Sequence, residues 1–255
     1  MPIDIVQIPC LSDNYGYLVH DQATGQVASI DTPDPEAIND ALAKNDWKLS
    51  HIFNTHHHWD HTGGNLALKE KWGCTIVGPK GEAEKIPGLD HPVGEGDTAA
   101  LGSSVAQVYG TPGHTTGHIV YLFTEDHAAF VGDTIFALGC GRLFEGTAKQ
   151  MWSSLSRIGA WPGNTKLYCA HEYTAANAQF ALSIEPNFQP LIERAAAIQS
   201  ARELGEPTVP MTVEEELATS PFLRAGNTEL AALLGMAGAD PVDVFAEVRR
   251  RKDNF

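Results

Sequence analysis

Three things are scarce or missing in this chain of 255 residues, and each absence closes a class of function. Cysteine is scarce: Cys10, Cys74, Cys140 and Cys169 fall in different predicted elements, and no two make a CxxC pair. Such spacing offers neither a disulfide framework nor a closed thiolate zinc site, and reads as buried or free thiols in a reducing compartment. Long apolar runs are missing, and Met1-Pro2-Ile3-Asp4-Ile5 has no basic region or cleavage-like segment. A soluble, cytoplasmic protein with no membrane partner is therefore expected. Positive charge is scarce too, with 17 Lys and Arg against 32 Asp and Glu, a net charge of −15. Phosphate backbones need cationic surface, so no nucleic-acid partner is expected. What remains, 43% hydrophobic residues over this length, is enough for a substantial core in one large domain or two.

The most informative stretch is Thr55-His56-His57-His58-Trp59-Asp60-His61, four imidazoles and a carboxylate within seven residues. Read as the end of a strand, it would turn His56 and His58 to one side and His57 to the other. Asp60 and His61 follow on a loop that can curl back toward the first pair. Imidazole and carboxylate suit zinc, iron or manganese, and the run holds no cysteine. A solvated, histidine-rich loop is the bland alternative. Against it stand Gly63-Gly64-Asn65 and the helix-like Leu66–Trp72, which make a shaped junction. Three further stretches repeat an apolar strand with a ligand-type residue at its mouth: Pro112-Gly113-His114-Thr115, Gly132-Asp133-Thr134 and Ala170-His171-Glu172. Singly each has an ordinary explanation; jointly they point to a shared site. His118 stands near it and reads as a strand-start residue, with support of a ligand as the alternative, while His20, His51, His57, His91 and His127 read as surface or packing residues.

The coarse element pattern begins with strands at Ile3–Leu11, Tyr15–His20 and Gln26–Ile30. A helix follows over Pro35–Asn45, then a strand at Ile52–Asn54 leads into the histidine run. Thr147 with Gln150 forms a capping box for a helix ending near Gly159. Strands alternating with helices give a layered α/β domain with its site along one edge. Composition shifts near residue 173. Beyond it, Thr174–Glu185, Leu191–Leu204, Val213–Ala218, Thr228–Leu234 and Val242–Arg251 read as helices, so the expected domains are 1–172 and 173–255.

In their order, THHHWDH, the PGHT turn, GDT and AHE resemble the metallo-β-lactamase superfamily of binuclear hydrolases. Asp13-Asn14-Tyr15-Gly16-Tyr17, Cys140-Gly141-Arg142-Leu143-Phe144-Glu145-Gly146-Thr147 and the tail Arg249-Arg250-Arg251-Lys252-Asp253-Asn254-Phe255 narrow the resemblance to the glyoxalase II (hydroxyacylglutathione hydrolase) family along nearly the whole chain. The resemblance implies an αββα sandwich followed by a helical domain. It implies two divalent metal ions, zinc first, with iron or manganese allowed. One ion would be held by His56, His58 and His114, the other by Asp60, His61 and His171. Asp133 would bridge them together with a hydroxide, and Asp60 could also orient that hydroxide. The implied substrate is S-D-lactoylglutathione or a related S-(2-hydroxyacyl)glutathione, cleaved to glutathione and D-lactate in the second step of methylglyoxal detoxification. Arg142, Tyr173, Arg249 and Lys252 would grip its glutathione half. Some members carry tyrosine where this chain has Phe144, which removes one hydroxyl contact. The rival readings are a mononuclear iron persulfide dioxygenase of the same superfamily, a β-lactam or lactone hydrolase, and a metal-dependent sensor without turnover. The full second ligand set and the basic tail weigh against them. Neither residues nor resemblance set the oligomeric state; a monomer fits.

Overall fold

A computed structural model describes residues 2–255, and the chain divides into two compact units. The first comprises residues 1–110 and 116–132, the second residues 111–115 and 133–255. Compactness thus cuts the chain at places other than the composition shift near residue 173.

The first unit holds two sheets. One has six strands in sequence order, β1 (Ile3–Cys10), β2 (Asn14–Asp21), β3 (Val27–Ile30), β4 (Leu49–Phe53), β5 (Thr75–Pro79) and β6 (His91–Val93). The first three are antiparallel and the rest run parallel. Parallel pairs need a crossover. Helix α1 (Pro35–Lys44) supplies the one between β3 and β4, with Asp34 capping it and Pro35 at its start. Helices α2 (Trp59–Thr62) and α3 (Asn65–Trp72) supply the one between β4 and β5. Ile38 and Leu42 of α1, Leu68 of α3 and strand residues Leu18, Val27, Ile52 and Ile76 share one core. The other sheet places β7 (Thr98–Leu101), β8 (Ser104–Gly110), β9 (Ile119–Phe123) and β10 (Ala128–Gly132) side by side as an antiparallel meander. Asp21 ties the two hairpin ends of this unit: it accepts from Ala23 N, Ser104 N and the backbone and hydroxyl of Ser103. These donors outweigh the cost of burial and hold its carboxyl at about 2.

The second unit is mainly helical. After the short pair β11 (Ile135–Phe136) and β12 (Gly139–Cys140) comes α4 (Ala148–Gly159), whose capping box joins Thr147 and Gln150 reciprocally as its sequence predicts. β13 (Lys166–Cys169) pairs with β14 (Met211–Thr212). Five helices make up the rest: α5 (Thr174–Ile184), α6 (Gln189–Glu203), α7 (Val213–Thr219), α8 (Thr228–Leu233) and α9 (Pro241–Asp253). All five expected tail helices are present, with ends within two residues of the sequence reading. Leu138, Ala178, Ala181, Leu191 and Ile198 form the core under α5 and α6. The buried pair Arg224–Glu185, at 2.6 Å, lies with its guanidinium over the Phe188 ring. All four cysteines are buried and none is in a disulfide. Among the described residues no helix is long and apolar enough to cross a membrane.

Candidate metal centre

In the first unit, β4 ends at Phe53, so His56, His57 and His58 lie on a loop rather than on the strand end expected from the sequence, and His61 lies on α2. Strand alternation therefore cannot be what separates them. The loop is stitched from below instead. Asn54 donates to the His61 carbonyl at 3.0 Å and exchanges hydrogen bonds with Asn65. Thr32 donates from its backbone to the same carbonyl. Asp31, buried just beyond β3, accepts from Thr55 N, Thr55 Oγ1 and His61 Nδ1, each at 2.8 Å. An ionised carboxylate only accepts, so His61 carries its proton on Nδ1 and presents the Nε2 lone pair. The Thr55 hydroxyl has its proton on Asp31 and accepts from His56 Nδ1 at 3.1 Å, which frees the His56 Nε2 lone pair in the same way. That Nε2 lies 3.0 Å from His58 Nδ1. His57 turns away from both onto Glu82. Asp60 Oδ2 lies 3.5 Å from His61 Nε2 and accepts from Asn14 Nδ2 at 3.1 Å. His118, buried, stacks on His56 with ring centroids 4.8 Å apart.

The second unit holds the other three. His114 sits on the Thr111–Thr115 turn and donates from Nδ1 to the Arg142 carbonyl at 2.9 Å, so its Nε2 lone pair faces Asp133 Oδ2 at 3.4 Å. His171 Nε2 lies 3.5 Å from the other oxygen, Asp133 Oδ1. Gly141 explains the Cys-Gly-Arg stretch: a Cβ there would collide with the Asp133 carbonyl and the His114 ring. The His171 ring stacks on Tyr173 at 4.7 Å, and Phe136 meets both rings edge-on.

These spacings fit a metal. Two ligand atoms each about 2.1 Å from one ion at the tetrahedral angle lie about 3.4 Å apart. That is the separation at which Asp133 meets His114 and His171, and Asp60 meets His61, and it is long for a hydrogen bond. Imidazole and carboxylate donors without thiolate suit a hard or borderline divalent ion. Histidine and aspartate side chains of this chain form groups able to hold a divalent ion.

A cleft of about 540 Å³ in the second unit is lined by His114 and Asp133 together with all five residues expected to bind substrate, Arg142, Phe144, Tyr173, Arg249 and Lys252. Their states differ. Arg249 is buried and held internally, donating to the Cys140 carbonyl at 2.9 Å and to Asp253 at 2.8 Å. Lys252 donates to the Ala176 carbonyl at 3.1 Å beside the Phe180 and Phe255 rings. Burial foremost, then Arg249 and Arg142, lowers its ammonium pKa. Phe144 is exposed and meets His114 edge-on at 5.2 Å.

Reasoning from sequence missed Asp31, Asn14, Glu82 and the Arg142 carbonyl. Asp31 has the same strand-then-carboxylate pattern as Asp133. His57, read from the sequence as a surface or packing residue, is held by Glu82 through both its backbone N and its ring Nδ1.

The fold is that of the metallo-β-lactamase superfamily, whose family model, described as "Metallo-beta-lactamase superfamily", matches residues 28–171. A second, "Hydroxyacylglutathione hydrolase C-terminus", matches residues 172–255. The chain is 51% identical to a hydroxyacylglutathione hydrolase of Methylococcus capsulatus, covering 99% of each chain. It is 53% identical to one of Hyphomonas neptunium, covering 99% of this chain and 98% of that one. A crystal structure of ETHE1 from Myxococcus xanthus superposes with a TM-score of 0.67 at 28% identity, covering 100% of both chains. The chain belongs to the hydroxyacylglutathione hydrolase family, a mixed α/β sandwich enzyme with a helical C-terminal part.

Proposed function

We propose that this enzyme hydrolyses S-(2-hydroxyacyl)glutathione thioesters to glutathione and a 2-hydroxy acid, S-D-lactoylglutathione being the substrate its family implies. The observation that carries the reading is a single carboxylate, Asp133, with one oxygen on His114 and the other on His171, in a cleft that also holds Arg142 and Lys252. We assign His56, His58 and His114 to one divalent ion, Asp60, His61 and His171 to a second, and Asp133 to both, with zinc as the first choice. Metal ions held by these residues would lower the pKa of a bound water toward neutrality and would offer positive charge to the carbonyl oxygen. Domains at 1–172 and 173–255 accompany this reading, supported by the two family matches meeting at residues 171 and 172. The thiols, none of them bridged, suit a cytoplasmic location.

The residues have separable tasks. Lys252 and Arg142 offer charged donors to the substrate's carboxylates. Tyr173, stacked on His171 and held by Phe136, forms a rigid wall beside the reacting carbonyl. Phe144 shields one side of His114 from water without offering a hydroxyl. Asn14 fixes which Asp60 oxygen faces the histidines. Water adds at the thioester carbonyl carbon, the C–S bond breaks, and the sulfur leaves as thiolate. A thiol pKa of about 8.5 makes that departure possible without a positioned acid.

The test is hydrolysis of a glutathione thioester before and after chelation. Activity should vanish with the metal and return with added zinc, iron or manganese. Hydrolysis that survives complete metal removal, or a metal-loaded protein inert toward the thioester, would overturn the assignment.

A further inference from the structure

We propose that Glu82, a residue with no place in the ligand set, is the positioning residue of the histidine loop. The proposal rests on His56 and His58 being metal ligands. Glu82 lies in the 3-10 turn Lys80–Lys85, where its backbone departs from helical values to φ −126°, and it is 3% exposed. One carboxylate oxygen, Oε2, accepts from both the backbone N and the ring Nδ1 of His57 at 2.8 Å. The other, Oε1, accepts from Gly117 N at 3.0 Å. No lysine or arginine pairs with it among the described residues. A carboxylate buried with only hydrogen-bond donors around it is held for those bonds, because burial by itself disfavours the charge.

The three bonds act on the loop from two sides. Anchoring both the amide and the ring of His57 fixes the peptide planes between His56 and His58 and turns the middle ring outward. Only then can His56 Nε2 and His58 Nδ1 stand 3.0 Å apart. Thr62 completes the grip by donating to the His57 and His58 carbonyls. On the other side, Gly117 fits against Glu82 only because it has no side chain: a Cβ would meet Glu82 Cγ at 2.5 Å. Its neighbour His118 carries the ring stacked on His56. One carboxylate thereby sets His56 through the chain on one side and through its stacking partner on the other. An apolar residue could fill the same volume, but it could not bind three N–H groups.

The role is tested with Glu82→Gln, which keeps the shape. Its amide nitrogen must face either Gly117 N–H or the two His57 donors, so one side of the clamp is lost. The zinc dissociation constant of the folded protein, measured against a chromophoric chelator, should rise roughly ten- to hundredfold, the usual cost of losing a partner that orients a ligand. The visible spectrum of the cobalt-substituted protein should change with it. Leu42→Ala, in the core under α1, serves as a control that destabilises the same unit, and its zinc affinity should equal the parent's. Should Glu82→Gln fail to fold, His57→Ala removes one of the three donors and should raise the constant in the same direction. Parental zinc affinity in Glu82→Gln, or in His57→Ala where that variant replaces it, would overturn the proposal and leave the ligand assignment standing. A parent protein that binds no zinc would overturn both.

Discussion

Lys252→Met is the substitution that most directly tests how the cleft holds its substrate. The side chain lines the cleft, and one of its three ammonium donors is on the Ala176 carbonyl at 3.1 Å. The others can serve a substrate carboxylate. A hydrogen bond to a charged group is worth about 1.5–3 kcal/mol, so its loss should lower kcat/KM for a glutathione thioester about ten- to hundredfold. Stability should move the other way or hardly at all. Burial, then Arg249 and Arg142, disfavours the ammonium in the folded protein, and methionine removes that strain. The losses are the ring contacts to Phe180 and Phe255 at 5.2 and 5.4 Å, each about 0.5–1 kcal/mol. Steady-state kinetics with the glutathione thioester and with a small thioester lacking glutathione, together with thermal melts, separate the two effects. The small thioester should be turned over as before, and the melting temperature should stay within a few degrees of the parent's. Unchanged kcat/KM for the glutathione thioester would refute this reading of the cleft. So would an equal loss on both substrates.

Asp133→Ala should abolish hydrolysis and release metal, since one carboxylate meets both His114 and His171; elemental analysis showing two retained ions would remove it from a shared position. Arg224→Met should leave Glu185 as a buried, uncompensated carboxylate and cost about 3–5 kcal/mol, lowering the melting temperature by on the order of 10 °C. A calorimetric loss of only a degree or two would show that the pair is immaterial. Lys252 also gives a pH signature. Its folded pKa lies below its ordinary 10.5, so between those two values the unfolded chain holds more protons. Raising pH through that window therefore favours the folded form through this group, while the same rise removes the ammonium from the cleft. KM for glutathione thioesters should climb at a lower pH than a solvent-exposed lysine would dictate, and Lys252→Met should show no such step.

Where a residue's structural reason lies a few positions away, the sequence could be read directly. The Thr147–Gln150 capping box is of this kind, and the tail helices were placed to within two residues of their ends. The seven residues proposed as ligands stand out in the sequence because metal chemistry draws on few residue types. Their supports were not. Asp31 holds Thr55 and His61 across 24 and 30 residues, and Glu82 holds His57 across 25. A carboxylate that far away looks like any surface acid until the fold closes. His57 shows the cost of reasoning by strand period: the side it faces came out right, but the cause is a buried glutamate on a loop.

The same difference of range governs the tail. Four adjacent cations, Arg249 to Lys252, look interchangeable in sequence, and the fold gives them different tasks. Arg250 and Arg251 share Glu247 on the helix surface, lowering its carboxyl to about 2. Arg249 is buried and compensated by Asp253 while it pins the Cys140 carbonyl beside Gly141. Only Lys252 brings a cation to the cleft without a carboxylate partner among the described residues, and Arg142 joins it from the chain segment that also orients His114. A chain of net charge −15 repels an anionic substrate at long range, so attraction has to be made at contact. Within a Debye length of about 8 Å, two cations next to the carboxylates outweigh acidic residues spread over the rest of the surface. Removing Arg250 or Arg251 should therefore leave turnover intact, whereas removing Lys252 or Arg142 should not. Their position in the fold, and not the count of basic residues in the tail, determines which ones reach the cleft.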